Sequence, residues 1–143
     1  MGKIRKEYIL ENKIESIPKT MEKFFGCSGK MVKPSPDTVK AVVRKIRKGK
    51  LVTLNQLREK IANDFAVQTA CPASTTKALQ TLSKEEKPIC YWRVIKPKGE
   101  LIAKFPNGVR GHALLLENEG FEIDFNKKSP VVVGYEAKLG KFT

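Results

Sequence analysis

PICYWRVIKPKGELIAKFPNGVRGHALLLENEG, residues 88–120, decides how the rest of the chain is read. Cys90–Ile95 is rich in β-branched and aromatic side chains and predicts a strand. Lys96-Pro97-Lys98-Gly99 predicts a turn, Glu100–Phe105 a return strand, Pro106-Asn107-Gly108 a second turn, and Val109–Asn118 a helix. Three helices are expected upstream. Ser35-Pro36-Asp37 gives a capping serine, a proline at the first helical position and an acid in the first turn. Val39, Val42, Val43 and Ile46 follow at helical spacing until Gly49. After the extended link Leu51-Val52, Thr53 with Gln56 forms a capping box for a second helix whose buried side is Leu54, Leu57 and Ile61. A third helix is expected over Ala73–Glu86, with Ala78, Leu79 and Leu82 as its buried stripe. Helices followed by a hairpin are the order of a winged helix-turn-helix, so the fold class is α+β and mainly helical.

Outside this core, residues 1–33 read as an irregular or partly helical extension. Ile4, Leu10, Ile14, Ile17, Met21, Phe24 and Phe25 are spaced to bury one side against the main domain, and Gly26 and Gly29 interrupt any regular element. The main domain is expected over 34–121. Residues 122–143 form a tail in which Val131-Val132-Val133 is a candidate edge strand.

Composition narrows the function. The chain has 28 Lys and Arg against 15 Asp and Glu, a net charge of +13, which favours a polyanionic partner. Residues 33–60 hold nine of the basic residues against only Asp37 and Glu59, so the charge is concentrated. No stretch approaches the ~20 apolar residues of a membrane span, and the first residues are too charged for a secretory signal, which makes the cytoplasm the expected location. Cys27, Cys71 and Cys90 are far apart and His112 is the only histidine, which fits neither a disulfide framework nor a metal-ligand set.

The pieces from Pro36 to Gly120 resemble the alkylguanine-DNA alkyltransferase (methylated-DNA–protein-cysteine methyltransferase) family, in its alkyltransferase-like branch. They are Arg-Lys-Gly-Lys-Leu-Val-Thr at 47–53, Asn55-Gln56-Leu57, Lys77-Ala78-Leu79, Arg93-Val94, and Leu115-Leu116-Glu117-Asn118-Glu119-Gly120. The resemblance implies a third helix that enters the minor groove of duplex DNA. It aligns the acceptor cysteine and its histidine with Tyr91 and Trp92, the nucleotide-flipping tyrosine with Leu54, the space-filling arginine with Ala73 and the hinge asparagine with Glu85. Of the catalytic set only the orienting glutamate remains, as Glu119, which is expected to pair with Arg93. The resemblance therefore implies DNA binding without enzymatic transfer and without a cofactor.

Two readings stay open for each candidate site. Tyr91, Trp92, Arg93, Phe105 and Glu119 either line a pocket that stacks a base or fill the old pocket as core. Cys90 lies one residue early, which on a strand turns it to the opposite face, so an inert thiol is expected. The face of Ser74, Thr75, Thr76, Lys77, Thr81 and Lys84 suits phosphate contact, as do Lys96, Lys98 and Lys104 on the wing and Arg47, Lys48 and Lys50 at the end of the first helix. Each of these is otherwise a solvated basic surface. The leading function is non-enzymatic DNA binding, with possible recognition of altered DNA. The alternative is a structural or protein-interaction module that kept the fold and lost the ligand.

Overall fold

The computed structural model of the protein describes residues 12–142, so Ile4 and Leu10 lie outside the described residues. Strand β1 (Lys13–Ser16), helix α1 (Lys19–Phe25) and strand β2 (Lys30–Lys33) come first. Helix α2 (Pro36–Val43) follows, then β3 (Val52–Thr53), α3 (Leu54–Asp64), β4 (Thr69–Ala70) and α4 (Pro72–Ser83). After a 3-10 turn at Tyr91–Arg93 come β5 (Val94–Ile95), α5 (Gly108–Asn118), β6 (Ile123–Asp124), β7 (Val131–Val132) and the short α6 (Tyr135–Lys138). This is an α+β helix-turn-helix domain in which α3 and α4 are the paired helices.

The helices form where the local chemistry directs them. Ser35 accepts from the Thr38 amide and starts α2. At α3 the capping box closes in both directions, with the Gln56 amide donating to Thr53 Oγ1 at 3.1 Å and the Thr53 amide to Gln56 Oε1 at 2.9 Å. The apolar stripes converge on one core. Val39 and Val43 of α2, Leu57 and Ile61 of α3, and Leu79 of α4 are all wholly buried. Each large aliphatic side chain enclosed this way contributes roughly 2 kcal/mol. A second, smaller cluster, built on Leu51, Ile95, Leu101 and Leu116, lies beneath α5 and the tail.

The wing differs from its expected form. Cys90–Ile95 is a strand only at Val94–Ile95, and that strand pairs in parallel with β3, not with a return strand. Tyr91–Arg93 winds into a 3-10 turn because the Trp92 carbonyl is drawn inward to a buried partner, described below. Glu100–Phe105 makes no hairpin. Lys96–Glu100 closes a tight turn, and Glu100 bridges Val131 of β7. The Val131 run pairs with β6, so it adds a two-stranded ribbon at the tail. The third helix begins one residue earlier than expected and ends at Ser83, which leaves Lys84, Glu85 and Glu86 beyond it.

The described part of the N-terminal stretch is partly helical, at α1, and otherwise forms strands. β1 pairs antiparallel with β2, and β2 pairs in parallel with β4, at Met31↔Thr69 and Val32↔Ala70. Ile17, Met31 and Val32 are buried, so the described part of this stretch shares a sheet with the helix-turn-helix. Gly26 ends α1 in the left-handed region at φ 71°, a conformation only glycine adopts freely. The tail is also tied down, through the Leu51 amide to the Lys138 carbonyl at 2.9 Å and the Gly140 amide to the Leu51 carbonyl at 2.8 Å.

Removing the cap at α3 tests this local account. Thr53→Ala is expected to lower stability in urea unfolding by about 1 kcal/mol, and Thr53→Ser to retain most of it. Equal losses in both variants would assign the effect to packing of the threonine methyl.

Candidate nucleic-acid interface

Helix α4 opens on Cys71 with no side-chain cap, carries Pro72 at its first position and has no acid in its first turn. Its leading amides therefore present partial positive charge with nothing placed to neutralise it. Ala73 keeps that end low and exposed. A shallow groove of about 510 Å³ runs along it, lined by Pro72, Ala73, Thr76, Lys77, Gln80 and Lys104. Residues 73, 76, 77 and 80 share one helical face by their spacing. Gln80 Nε2 donates to the Lys104 carbonyl at 3.4 Å and joins the two walls. A Cβ at Gly111 would collide with the Pro106 carbonyl, so the loop that carries Lys104 sits directly on α5.

The groove face is rotated from the expected one. Thr76 and Lys77 belong to it, but Thr75 is fully buried, its hydroxyl donating to the Cys71 carbonyl at 2.8 Å. That bond satisfies the hydroxyl within the helix and lets the residue face the core. Ser74 is half-buried beside the groove, Thr81 is exposed with its hydroxyl on the Lys77 carbonyl, and Lys84 is exposed past the helix end. Pro72 and Gln80 were missed by the sequence reading. Gln80 was marked by the i, i+3, i+4, i+7 spacing from Ala73, and Pro72 only by adjoining it.

The other cations lie elsewhere. Lys96 and Lys98 are exposed on a turn whose Gly99 packs against Tyr135, next to the β6–β7 ribbon. Arg47 and Lys50 line a different groove, which shares no residue with the one on α4. Lys48 is exposed nearby and helps hold the Glu119 carboxyl in its charged form.

The aromatic group is closed. Tyr91 and Phe105 retain 4% and 3% of their surface. Tyr91 meets Trp92 edge-on at 5.3 Å and Phe105 at 4.8 Å, and Phe105 meets the His112 ring at 4.9 Å. Burial pushes the Tyr91 hydroxyl up. Arg93 Nε and the Nη2 nitrogen reach the two Glu119 oxygens at 2.9 and 2.6 Å, and Nη1 donates to the Ile46 carbonyl at 2.8 Å. This hydrogen-bonded pair raises the Arg93 pKa and lowers that of Glu119. The Trp92 indole N–H lies near enough to favour the Glu119 carboxylate, yet its geometry closes no hydrogen bond with any described residue. Cys90 is not on a strand. It precedes the 3-10 turn, half-buried, with its thiol directed at the Val43 carbonyl at 3.6 Å, and burial pushes its pKa up despite Arg93. A protonated thiol in this setting is a poor nucleophile.

His112 holds this region together. The Ile102 amide donates to Nδ1 at 2.9 Å, so Nδ1 carries no proton, and Nε2–H donates to the Trp92 carbonyl at 2.7 Å. The imidazole is fully buried, and burial lowers its pKa to about 4. Leu54 packs against the core, Glu85 pairs with Lys40 at 3.3 Å, and Ala73 lines the groove. Among the described residues no cluster of His, Cys, Asp or Glu could hold a metal ion, and no helix is long and apolar enough to cross a membrane.

The buried imidazole sets a pH window. The unfolded histidine, with a pKa of ~6.5, takes up a proton that the folded one refuses until about pH 4, so stability is complete above the unfolded value and falls as pH drops toward the folded one. Between pH 7.5 and 5.0 the protein is expected to lose about 2 kcal/mol in urea unfolding. His112→Gln should be less stable throughout and nearly flat across that range. An unchanged slope in the variant would assign the titration to another group.

No family model matches the chain, and no curated protein matches it in sequence. Solved structures do match in fold. One is S. pombe Atl1 in complex with damaged DNA containing O6-carboxymethylguanine, with a TM-score of 0.55, 21% identity, and coverage of 75% of this chain and 94% of that one. Another is S. pombe ATL in complex with DNA, with a TM-score of 0.54 at the same identity and coverage. The chain thus has the fold of these DNA-bound alkyltransferase-like proteins.

Proposed function

We propose that the protein is a non-enzymatic DNA-binding protein of the alkyltransferase-like kind, which seats duplex DNA on the first turn of α4. The groove between that turn and Lys104 carries the reading. It combines uncapped helix amides, a small residue at the point of closest approach, and lysines on both walls. The shared fold with DNA-bound S. pombe Atl1 supports it. Binding by phosphate contact, with little sequence readout, follows from walls that offer amides, alcohols and lysines.

The closed Tyr91–Trp92–Phe105 group supports a plain duplex binder over a protein that swings a base into the former acceptor pocket. Leu54 at the flipping position points the same way, since its side chain packs into the core.

Two measurements test the proposal. In a salt titration with duplex DNA, log K should fall against log salt with a slope of about −4 for some four contacted phosphates, and Lys77→Ala should flatten it by about one. Absence of duplex binding at low salt would return the protein to the interaction-module reading. Incubation with an alkylguanine substrate, followed by intact-mass measurement, should leave the mass unchanged, because burial pushes the Cys90 thiol pKa up, away from the reactive thiolate, and encloses Tyr91. A stoichiometric adduct mapped to either residue would overturn the non-enzymatic reading.

A further inference from the structure

The turn between α2 and β3 faces the C-terminal tail across a second groove, of about 310 Å³. Lys45, Arg47 and Lys50 contribute from the turn and Lys141 from the tail. Between the cations lie Ile46 and Val52, both buried, and Phe142, which packs on the core and keeps part of its surface exposed to the groove. The tail is fixed in place, because Gly140 donates to the Leu51 carbonyl and accepts from Gln56 Nε2, both at 2.8 Å. Lys141 and Phe142 therefore extend from an anchored backbone.

The charge here is one-sided. No acid lines the groove, and among the described residues none of its four cations forms an ion pair. Clustered like charges with no internal partner favour an incoming polyanion. Phe142 selects among polyanions. A duplex turns its phosphates outward and keeps its base faces stacked inside, so the Phe142 ring would find no partner on it. An unpaired strand offers both a charged backbone and free base faces.

We propose that this groove is a second nucleic-acid site, which takes a single-stranded segment with its backbone along the four cations and a base against Phe142. The site shares no residue with the α4 groove, and only the duplex arms of its test rest on the reading of that groove as a duplex seat.

Fluorescence anisotropy decides it, with a labelled short oligothymidylate, a labelled duplex, and inorganic polyphosphate as a competitor without bases. The double charge reversal Lys50→Glu/Lys141→Glu alters exposed side chains and should weaken oligothymidylate binding by about tenfold or more, and duplex binding by clearly less, through the change in net charge alone. Phe142→Ala should weaken oligothymidylate by about tenfold and spare polyphosphate, while Phe142→Tyr should bind as the parent does. Lys77→Glu should weaken the duplex more than the oligothymidylate. If Phe142→Ala loosens the tail, seen as a lowered Tm, the charge reversal and the Tyr variant carry the decision. Equal loss of both ligands in the charge reversal, full competition between duplex and oligothymidylate, polyphosphate binding as tightly as the oligonucleotide, or no binding of oligothymidylate would each overturn the proposal.

Discussion

His112 lies wholly inside the protein with both ring nitrogens engaged, one accepting from Ile102 and the other donating to Trp92, twenty residues away in sequence. Those two bonds fix the tautomer, and the tautomer fixes which backbone groups can meet it. Without the ring, a buried amide and a buried carbonyl would stand unpaired, each at a cost of about 1–3 kcal/mol. The 3-10 turn follows from this, since it is what brings the Trp92 carbonyl inward. Arg93, the next residue, ties that turn to the end of α5 through Glu119 and to the segment after α2 through Ile46. α5 and the segment after α2 therefore converge on two consecutive residues, Trp92 and Arg93.

The same constraint bears on chemistry. A nucleophile of the alkyltransferase kind needs a thiol of low pKa beside a polarising base. Here the histidine is buried, neutral and committed on both sides, and it belongs to the scaffold. The thiol is pushed the other way by burial. Tyr91 and Phe105 complete a packed aromatic group against the imidazole.

The sequence disclosed α2, α3, α4 and α5 because each spans two turns or more, and α2 and α3 carry their own capping signals. Ser35-Pro36 and the Thr53–Gln56 box act where they were expected, and the 3.6 period marks most of the buried stripes, although α2 stops at Val43 short of Ile46 and Leu54 is only partly buried. The short strands were beyond such reading. Val52–Thr53 and Val94–Ile95 are two residues each, too short to show an alternation, and the β2–β4 pairing joins residues 38 apart. The aromatic, β-branched run at 90–95 has strand propensity, but a distant histidine bends it into a 3-10 turn. Thr75 was misplaced for a related reason. A hydroxyl that bonds back to its own helix behaves as an apolar residue and can face the core. The cations were legible as a group but not as two grooves, because the separation of Lys77 and Lys104 from Lys50 and Lys141 arises only when α5 and the tail pack down.

Charge and packing meet in the way the acids are used. Glu119 is held by Arg93, while Glu15, Asp64 and Glu85 each answer a lysine at the surface. The surface pairs contribute little to stability, of order 0–1 kcal/mol each, and none of their carboxylates lines either groove. The excess positive charge is then left on the uncapped end of α4 with Lys104, and on the turn opposite the tail. Such a distribution makes the folded state repel itself at low salt, and any polyanion that bridges the lysines relieves the repulsion as it binds. Affinity of that origin is non-directional and fades with ionic strength over a Debye length of about 8 Å at physiological salt. At the two proposed sites, specificity would then come from the short-range features of each groove. These are the low, amide-lined lip at Ala73 on one side and the part-exposed Phe142 on the other.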